Sequence, residues 1–219
     1  MRRSGSRTEG GPCAARATTR PLLGFAAFVA IGWAVGEVWT SIVGSVEQEA
    51  MRRLAEERTE TLIGLARAIT WAGSAFLLVP LAFGGCLVML RVGLRRDAIA
   101  VAVSLGGAML ISDLVKLLTS RPRPTVEHLQ AVTGSSFPSG HATQAAAFWL
   151  ALALVLRAPP ASRWLALVAR LAAVLLALGV AWSRVYLGVH YPSDVLAGLA
   201  LGGCWAVFVT AALRAPSSA

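Results

Sequence analysis

A succession of long apolar segments constrains this chain more than any other feature, because no soluble core of ordinary size could hide them all. Six occur, near residues 21–44, 68–90, 97–118, 142–157, 165–182 and 194–213. About 20 apolar residues are needed to cross the hydrocarbon of a bilayer as a helix. The stretch 142–157 is short by that measure, and spans only if it runs from Gly140 to Ala158 with its first turn at headgroup depth. Composition agrees, since 56% of the 219 residues are hydrophobic, only 14% are charged and the mean hydropathy is +0.66. The expected fold is all-α, an integral membrane bundle of six transmembrane helices over 21–213. A disordered cytoplasmic tail, 1–20, is expected before it and a short C-terminal tail, 214–219, after it.

The first segment follows Arg2, Arg3, Arg7, Arg16 and Arg20, as a secretory signal would, but its apolar stretch exceeds the roughly 7–15 residues of a signal core, which favours an uncleaved helix. The formal charge of +9 does not point to nucleic acid, because the basic residues are scattered between apolar runs and build no stripe interleaved with aromatics. They sort by sidedness instead. Arginines at 91, 95, 96, 157, 163, 170 and 214 join those of the tail in one set, which belongs inside the cell. The opposite set is 45–67, 119–141 and 183–193, and the first of these, rich in Glu and Arg, reads as a charged helix outside the bilayer. Trp33, Trp39, Trp71, Trp182, Tyr186 and Tyr191 fall near the outer boundary, where amphipathic rings belong. Cys13, Cys86 and Cys204 have no metal-ligand spacing and imply no disulfide framework.

Every basic residue is arginine except Lys116, at the end of the third segment. It opens a polar run, Lys116-Leu-Leu-Thr-Ser-Arg121-Pro-Arg123-Pro124, which continues to Ser135-Ser136-Phe137-Pro138-Ser139-Gly140-His141. A second run, Ser183-Arg184-Val-Tyr-Leu-Gly-Val-His190-Tyr-Pro-Ser-Asp194, follows the fifth segment. Two spans separate the runs, so they emerge on the same face whatever the absolute orientation. Lys116, Arg123 and Arg184 supply cations, and an arginine fork matches phosphate oxygens. Gly140 is expected to open the fourth helix, aiming N–H groups and the positive dipole end at an anion, with the Ser139 hydroxyl beside them. Asp194 lies four residues after His190, so the two can meet on one helical face. A carboxylate bonded to one ring nitrogen leaves the other as a lone-pair nucleophile.

Lys116-x6-Arg123-Pro124, Pro138-Ser139-Gly140-His141 and Ser183-Arg184-x5-His190-x3-Asp194 together resemble the three-part signature of the type 2 phosphatidic acid phosphatases, which vanadium haloperoxidases share. Any one part is weak; all three in order and on one face are specific. The resemblance implies a phosphohistidine mechanism, in which His190 attacks phosphorus, Asp194 orients it, and His141 protonates the leaving alkoxide and then activates water. It assigns substrate binding to Lys116, Arg123, Ser139, Gly140 and Arg184. No metal or other cofactor is expected, because Asp194 is the only acid of the motif set. Spacing from Lys116 selects Arg123 and leaves open whether Arg121 shares the phosphate.

The implied partner is a phosphorylated lipid in the cell membrane, with the site on the outer, extracytoplasmic face. A phosphatidic acid-like monoester and an undecaprenyl-type diphosphate both fit the family. A soluble haloperoxidase would not carry six spans, and a lipid-binding or transport protein would not need this polar set. Asp113, three residues before Lys116, is a candidate either for holding that lysine or for a direct role. Glu37 is unexplained, His128 reads as a solvated loop residue, and the pairs Gly84-Gly85, Gly106-Gly107 and Gly202-Gly203 read as sites of close helix packing.

Overall fold

The computed structural model describes residues 42–156 and 163–214, with isolated positions between 26 and 38. Most of the first apolar segment, including Glu37, lies outside the described residues, as does the 1–20 tail. Helices make up the regular structure: α1 over 42–56, α2 Glu60–Thr70, α3 Ala75–Arg91, α4 Arg95–Leu118, α5 Gly140–Val155, α6 Arg163–Tyr186 and α7 Pro192–Arg214. No strand occurs among the described residues.

The stretch 45–67, expected as one charged helix, is divided between α1 and α2. Thr59 makes the division, because its hydroxyl accepts the Leu62 N–H and caps α2. The span expected over 68–90 is likewise interrupted. A single 3-10 turn, Trp71–Gly73, ends α2, and Ser74 caps α3 through Phe76 N–H, so the two helices meet at a 42° bend. Among the described residues α4, α6 and α7 are long and apolar enough to cross a bilayer, and the bent α2–α3 pair makes a fourth if it is one span. The chain is thus a multi-pass membrane protein. Its lipid-facing surface is visible on α6, where Leu165, Leu171, Leu175 and Leu178 are exposed.

The helices of the bundle differ in length, and the ends that meet near Gly140 belong to both long and short ones. At 1.5 Å per residue, the 24 residues of α4 and of α6 run about 36 Å, whereas the 16 of α5 run about 24 Å. The short α5 sits in the middle, packed against α4, α6 and most extensively α7. Its buried positions are mostly alanine, from Ala142 to Ala153. Across from them Gly202 lets the backbones close up: a Cβ there would lie 2.1 Å from the Thr143 carbonyl oxygen. Gly107 serves the Trp205 indole in the same way, while Gly84, Gly85 and Gly106 have nothing within 4 Å, so the packing role expected of the glycine pairs holds for only some members. At the functional end the last turn of α4, the first of α5, the last of α6 and the first of α7 come together, bridged by Ser139 N–H donating to Asp194 C=O at 3.0 Å. A small cluster of Ile63, Ala66, Tyr186, Leu187 and Val189 pins α2 over the end of α6.

Candidate active site

One group of the motif residues is built around the N-terminus of α5. Ser139 occupies the cap position but makes no side-chain capping bond, so the amides of the first turn are left to an external acceptor. Its hydroxyl is fully buried and has no hydrogen-bond partner among the described residues. Lys116 reaches the same turn from α4, and its Nζ would stand 3.0 Å from a Cβ on Gly140, so the absence of a side chain there leaves room for the ammonium. Arg184 is 2% exposed and lies on the last turn of α6, which runs four residues past its expected end at 182. Its Nη1 donates to Thr70 Oγ1 at 3.0 Å and to Gln130 Oε1, while its buried Nε has no partner among the described residues. A buried donor left unpaired costs about 1–3 kcal/mol. The Ser139 hydroxyl and Arg184 Nε are donors of the kind a phosphate group satisfies, and the Lys116 ammonium stands at the same turn as Ser139 and within electrostatic range of Arg184.

A second group of buried residues gathers around His190. His190 is 3% exposed, and its Nδ1 stands 2.7 Å from the Ser136 carbonyl oxygen and 3.5 Å from Asp194 Oδ2. Both neighbours accept, so Nδ1 carries the proton and Nε2 keeps its lone pair. Burial pushes the imidazole pKa down to about 4, against the pull of the Asp194 carboxylate and with the help of the Arg184 and Arg123 charges. His190 is neutral at pH 7. His141, in the first turn of α5, lies within electrostatic range of His190, Arg184 and Lys116.

The expectation that His190 and Asp194 share a helical face is corrected. Helix α7 begins at Pro192, so His190 precedes it and only Asp194 is helical. Asp194 reaches back because it stands third in the helix, where a carboxylate accepts the cap-residue amide, here Tyr191 N–H at 2.8 Å. The same oxygen accepts the Ser136 hydroxyl.

Arg123 is less free than the phosphate fork the spacing suggests. Its Nη1 donates to Val189 O at 2.7 Å, Nη2 to Thr133 O at 2.9 Å and Ser135 O at 3.4 Å, and Nε to Gly134 O at 3.2 Å. It staples the long loop to the His190 segment and brings its charge to the site, with one Nη1 hydrogen unengaged among the described residues. Arg121 turns to Asp194 and Glu47. Asp113 is exposed and forms no ion pair with Lys116, and His128 bonds Pro124 O at 2.9 Å within the loop. Ser136, Thr70, Gln130 and Glu47 were not singled out as site residues by the sequence. Only Ser136, adjoining a motif, had a signal to find it by. Among the described residues no group of three His, Cys, Asp or Glu side chains gathers as a metal site.

This arrangement can be set beside known proteins. Phosphatidylglycerophosphatase B of Bacillus subtilis (strain 168) is 31% identical over 172 residues, covering 75% of this chain and 82% of that protein. The putative undecaprenyl-diphosphatase YbjG of Escherichia coli (strain K12) is 37% identical over 117 residues, and there the chain spans about half the relative's length, 54%. A crystal structure of a transmembrane PAP2 type phosphatidylglycerolphosphate phosphatase from Bacillus subtilis superposes with a TM-score of 0.76 at 26% identity, covering 87% of this chain and 94% of that one. The PAP2 superfamily model matches residues 97–216, more than half of the chain and all three motifs. With those motifs gathered at one end of a helical bundle that has the architecture of a solved relative, the chain belongs to the PAP2 superfamily.

Proposed function

We propose that this protein is a membrane phosphatase that hydrolyses a lipid phosphate monoester through a phosphohistidine, without a metal. The observation that carries the reading is that the buried Ser139 hydroxyl and Arg184 Nε have no partner among the described residues, with Lys116 at the open first turn of α5. These are donors for the equatorial oxygens of a phosphoryl group, whose charge spreads in the transition state. His190 Nε2 attacks phosphorus and the bond from phosphorus to the lipid oxygen breaks. His141 gives that oxygen its proton and lipid alcohol leaves. Water then yields a proton to His141 and attacks phosphorus, the phosphorus–nitrogen bond breaks, and inorganic phosphate departs with His190 restored. Arg123 supplies charge and holds the loop.

The relative named for phosphatidylglycerophosphate supports a glycerolipid phosphate as substrate. A second reading, a polyprenyl diphosphate, is favoured by the relative named as a putative undecaprenyl-diphosphatase. The full bundle has six spans, counting the 21–44 segment, the bent α2–α3 pair and the short α5, with the site on the extracytoplasmic face of the cell membrane. Phosphate release by the purified protein from a panel of lipid phosphates and diphosphates in EDTA tests both readings. Activity on monoesters should survive the chelator and be inhibited by vanadate; loss in EDTA restored by magnesium would contradict the mechanism. In rapid-quench experiments with nitrophenyl phosphate, His141→Ala should accumulate an acid-labile phosphoenzyme and His190→Ala none. The reverse pattern would mean that the two roles are exchanged.

A further inference from the structure

Arg121 is the one motif-region arginine that does not offer its charge to the anion-binding side. It is 8% exposed on its side chain, and its guanidinium lies 4.4 Å from the centre of the Tyr191 ring. Nη1 donates to Asp194 Oδ1 and, at 2.7 Å, to Ser193 Oγ. Nη2 donates to Glu47 Oε2 at 2.6 Å. Glu47 comes from α1, far away in sequence, and also accepts Ser193 N–H at 2.8 Å and the Ser193 hydroxyl at 2.9 Å. It thereby closes over the first turn of α7. Both carboxylates only accept, Asp194 from Arg121, Tyr191 N–H and Ser136 and Glu47 from Arg121 and Ser193, which is the bonding of ionised groups.

The charges of this trio matter to the group next to it. Arg121 alone would cancel Asp194, leaving no net charge behind His190. With Glu47 the trio carries one net negative charge. When His190 Nε2 bonds to phosphorus while Nδ1 keeps its hydrogen, the ring becomes cationic, and a buried negative charge behind it favours that state. We propose that Glu47 and Arg121 are positioning residues for phosphoryl transfer. In this arrangement Arg121 fixes the Asp194 carboxylate against His190, and Glu47 keeps the field there negative, so that neither touches the phosphate. The proposal rests on His190 as the phosphorylated group.

The test uses the full-length protein in detergent, with kcat and KM on a lipid phosphate monoester and calorimetric titration with inorganic phosphate. The titration reports the fraction of intact sites and their affinity. Glu47→Gln should lower kcat about tenfold or more while KM and phosphate affinity stay within about twofold, the pattern of an interaction made in the transition state. Glu47→Asp, which keeps the charge, should recover a large part of that loss. Arg121→Lys should likewise lower kcat and spare phosphate affinity. If Arg121→Lys weakens phosphate about tenfold and leaves kcat alone, Arg121 is a phosphate ligand and the proposal falls. It falls equally if Glu47→Gln and Glu47→Asp are both silent, or lose kcat to the same extent. Should Glu47→Gln fail to keep its phosphate stoichiometry, the Glu47→Asp and Arg121→Lys results decide alone by the same criteria. Asp194→Asn in the same panel separates the underlying reading: unchanged kcat there would remove the Asp194–His190 pair itself, whatever the Glu47 variants do.

Discussion

Replacing Gly202 by alanine changes one atom in the membrane interior and should be felt at the phosphate. The added Cβ would lie 2.1 Å from the Thr143 carbonyl oxygen, 2.9 Å from its carbonyl carbon and 3.1 Å from Ala147 N, all backbone atoms of α5. Real Cβ atoms stay beyond 3.0 Å, so the two helices must separate by roughly 1 Å. No side chain can turn aside to absorb it. Overpacking of this kind costs about 1–3 kcal/mol of stability. Its functional effect is larger because α5 carries Ser139 and His141 while α7 carries Asp194, and the Ser139 amide bonds the Asp194 carbonyl across the same seam at 3.0 Å. A displacement of about 1 Å between catalytic groups costs on the order of 10²-fold. The neighbour is the control: a Cβ on Gly203 first meets Leu150 Cδ2 at 3.9 Å, an ordinary contact, and alanine there gains helix propensity worth up to about 1 kcal/mol. With thermal melts in detergent and kcat/KM on a lipid phosphate, Gly202→Ala should lose about 10–100-fold in kcat/KM and melt earlier, and Gly203→Ala should match the parent in activity. Indistinguishable variants would show that the α5–α7 spacing does not set the site geometry.

Three further outcomes follow from the site. Because burial holds the folded His190 pKa near 4 against an ordinary 6.5, the unfolded chain binds that proton first. The stability associated with neutral His190 is complete above about pH 6.5 and is lost as pH falls through that value toward 4, by about 3 kcal/mol in all; the difference between parent and His190→Asn melts over that window measures it. Ser136→Ala removes the hydroxyl on Asp194 but keeps the carbonyl that fixes the His190 tautomer, so kcat should fall about tenfold, not abolish; a complete loss would show that the hydroxyl does more than orient the carboxylate. In a background without native cysteines, a cysteine placed at 125–134 should react with an impermeant thiol reagent applied to intact cells, and one at 91–97 should not. The reverse would invert the membrane orientation.

The three motifs were legible because each packs several site residues into a short run of sequence, and helix parity then brings the runs to one end of the bundle. Helix boundaries were less so, for local reasons. Trp182 and Arg184 look like the edge of a span, yet α6 continues to Tyr186 because the Arg184 guanidinium finds Thr70 and Gln130 inside the protein. A buried charge with partners does not end a transmembrane helix. The four-residue spacing of His190 and Asp194 is that of a helix face, but Pro192, which suits the first helical position, starts α7 between them. Their meeting is a consequence of helix capping, so the same spacing carried the right contact for a different reason.

Glu47 shows where such reading stops. In sequence it is one of five glutamates in a stretch that also holds several arginines, and nothing local distinguishes it from Glu49 or Glu56, which pair with Arg52 on an exposed surface. Those neighbouring pairs are worth little, since exposed ion pairs contribute roughly 0–1 kcal/mol. The pair with Arg121 differs through desolvation alone: both side chains are about nine-tenths buried, and removing either partner leaves the other's charge without its match in a dry site. Burial of that kind is created by α1 folding over the first turn of α7, a contact between segments almost 150 residues apart. No pattern within one helix can report it. The residues of the three motifs therefore announce themselves in sequence, whereas those that hold Asp194 in place are visible only once the bundle is assembled.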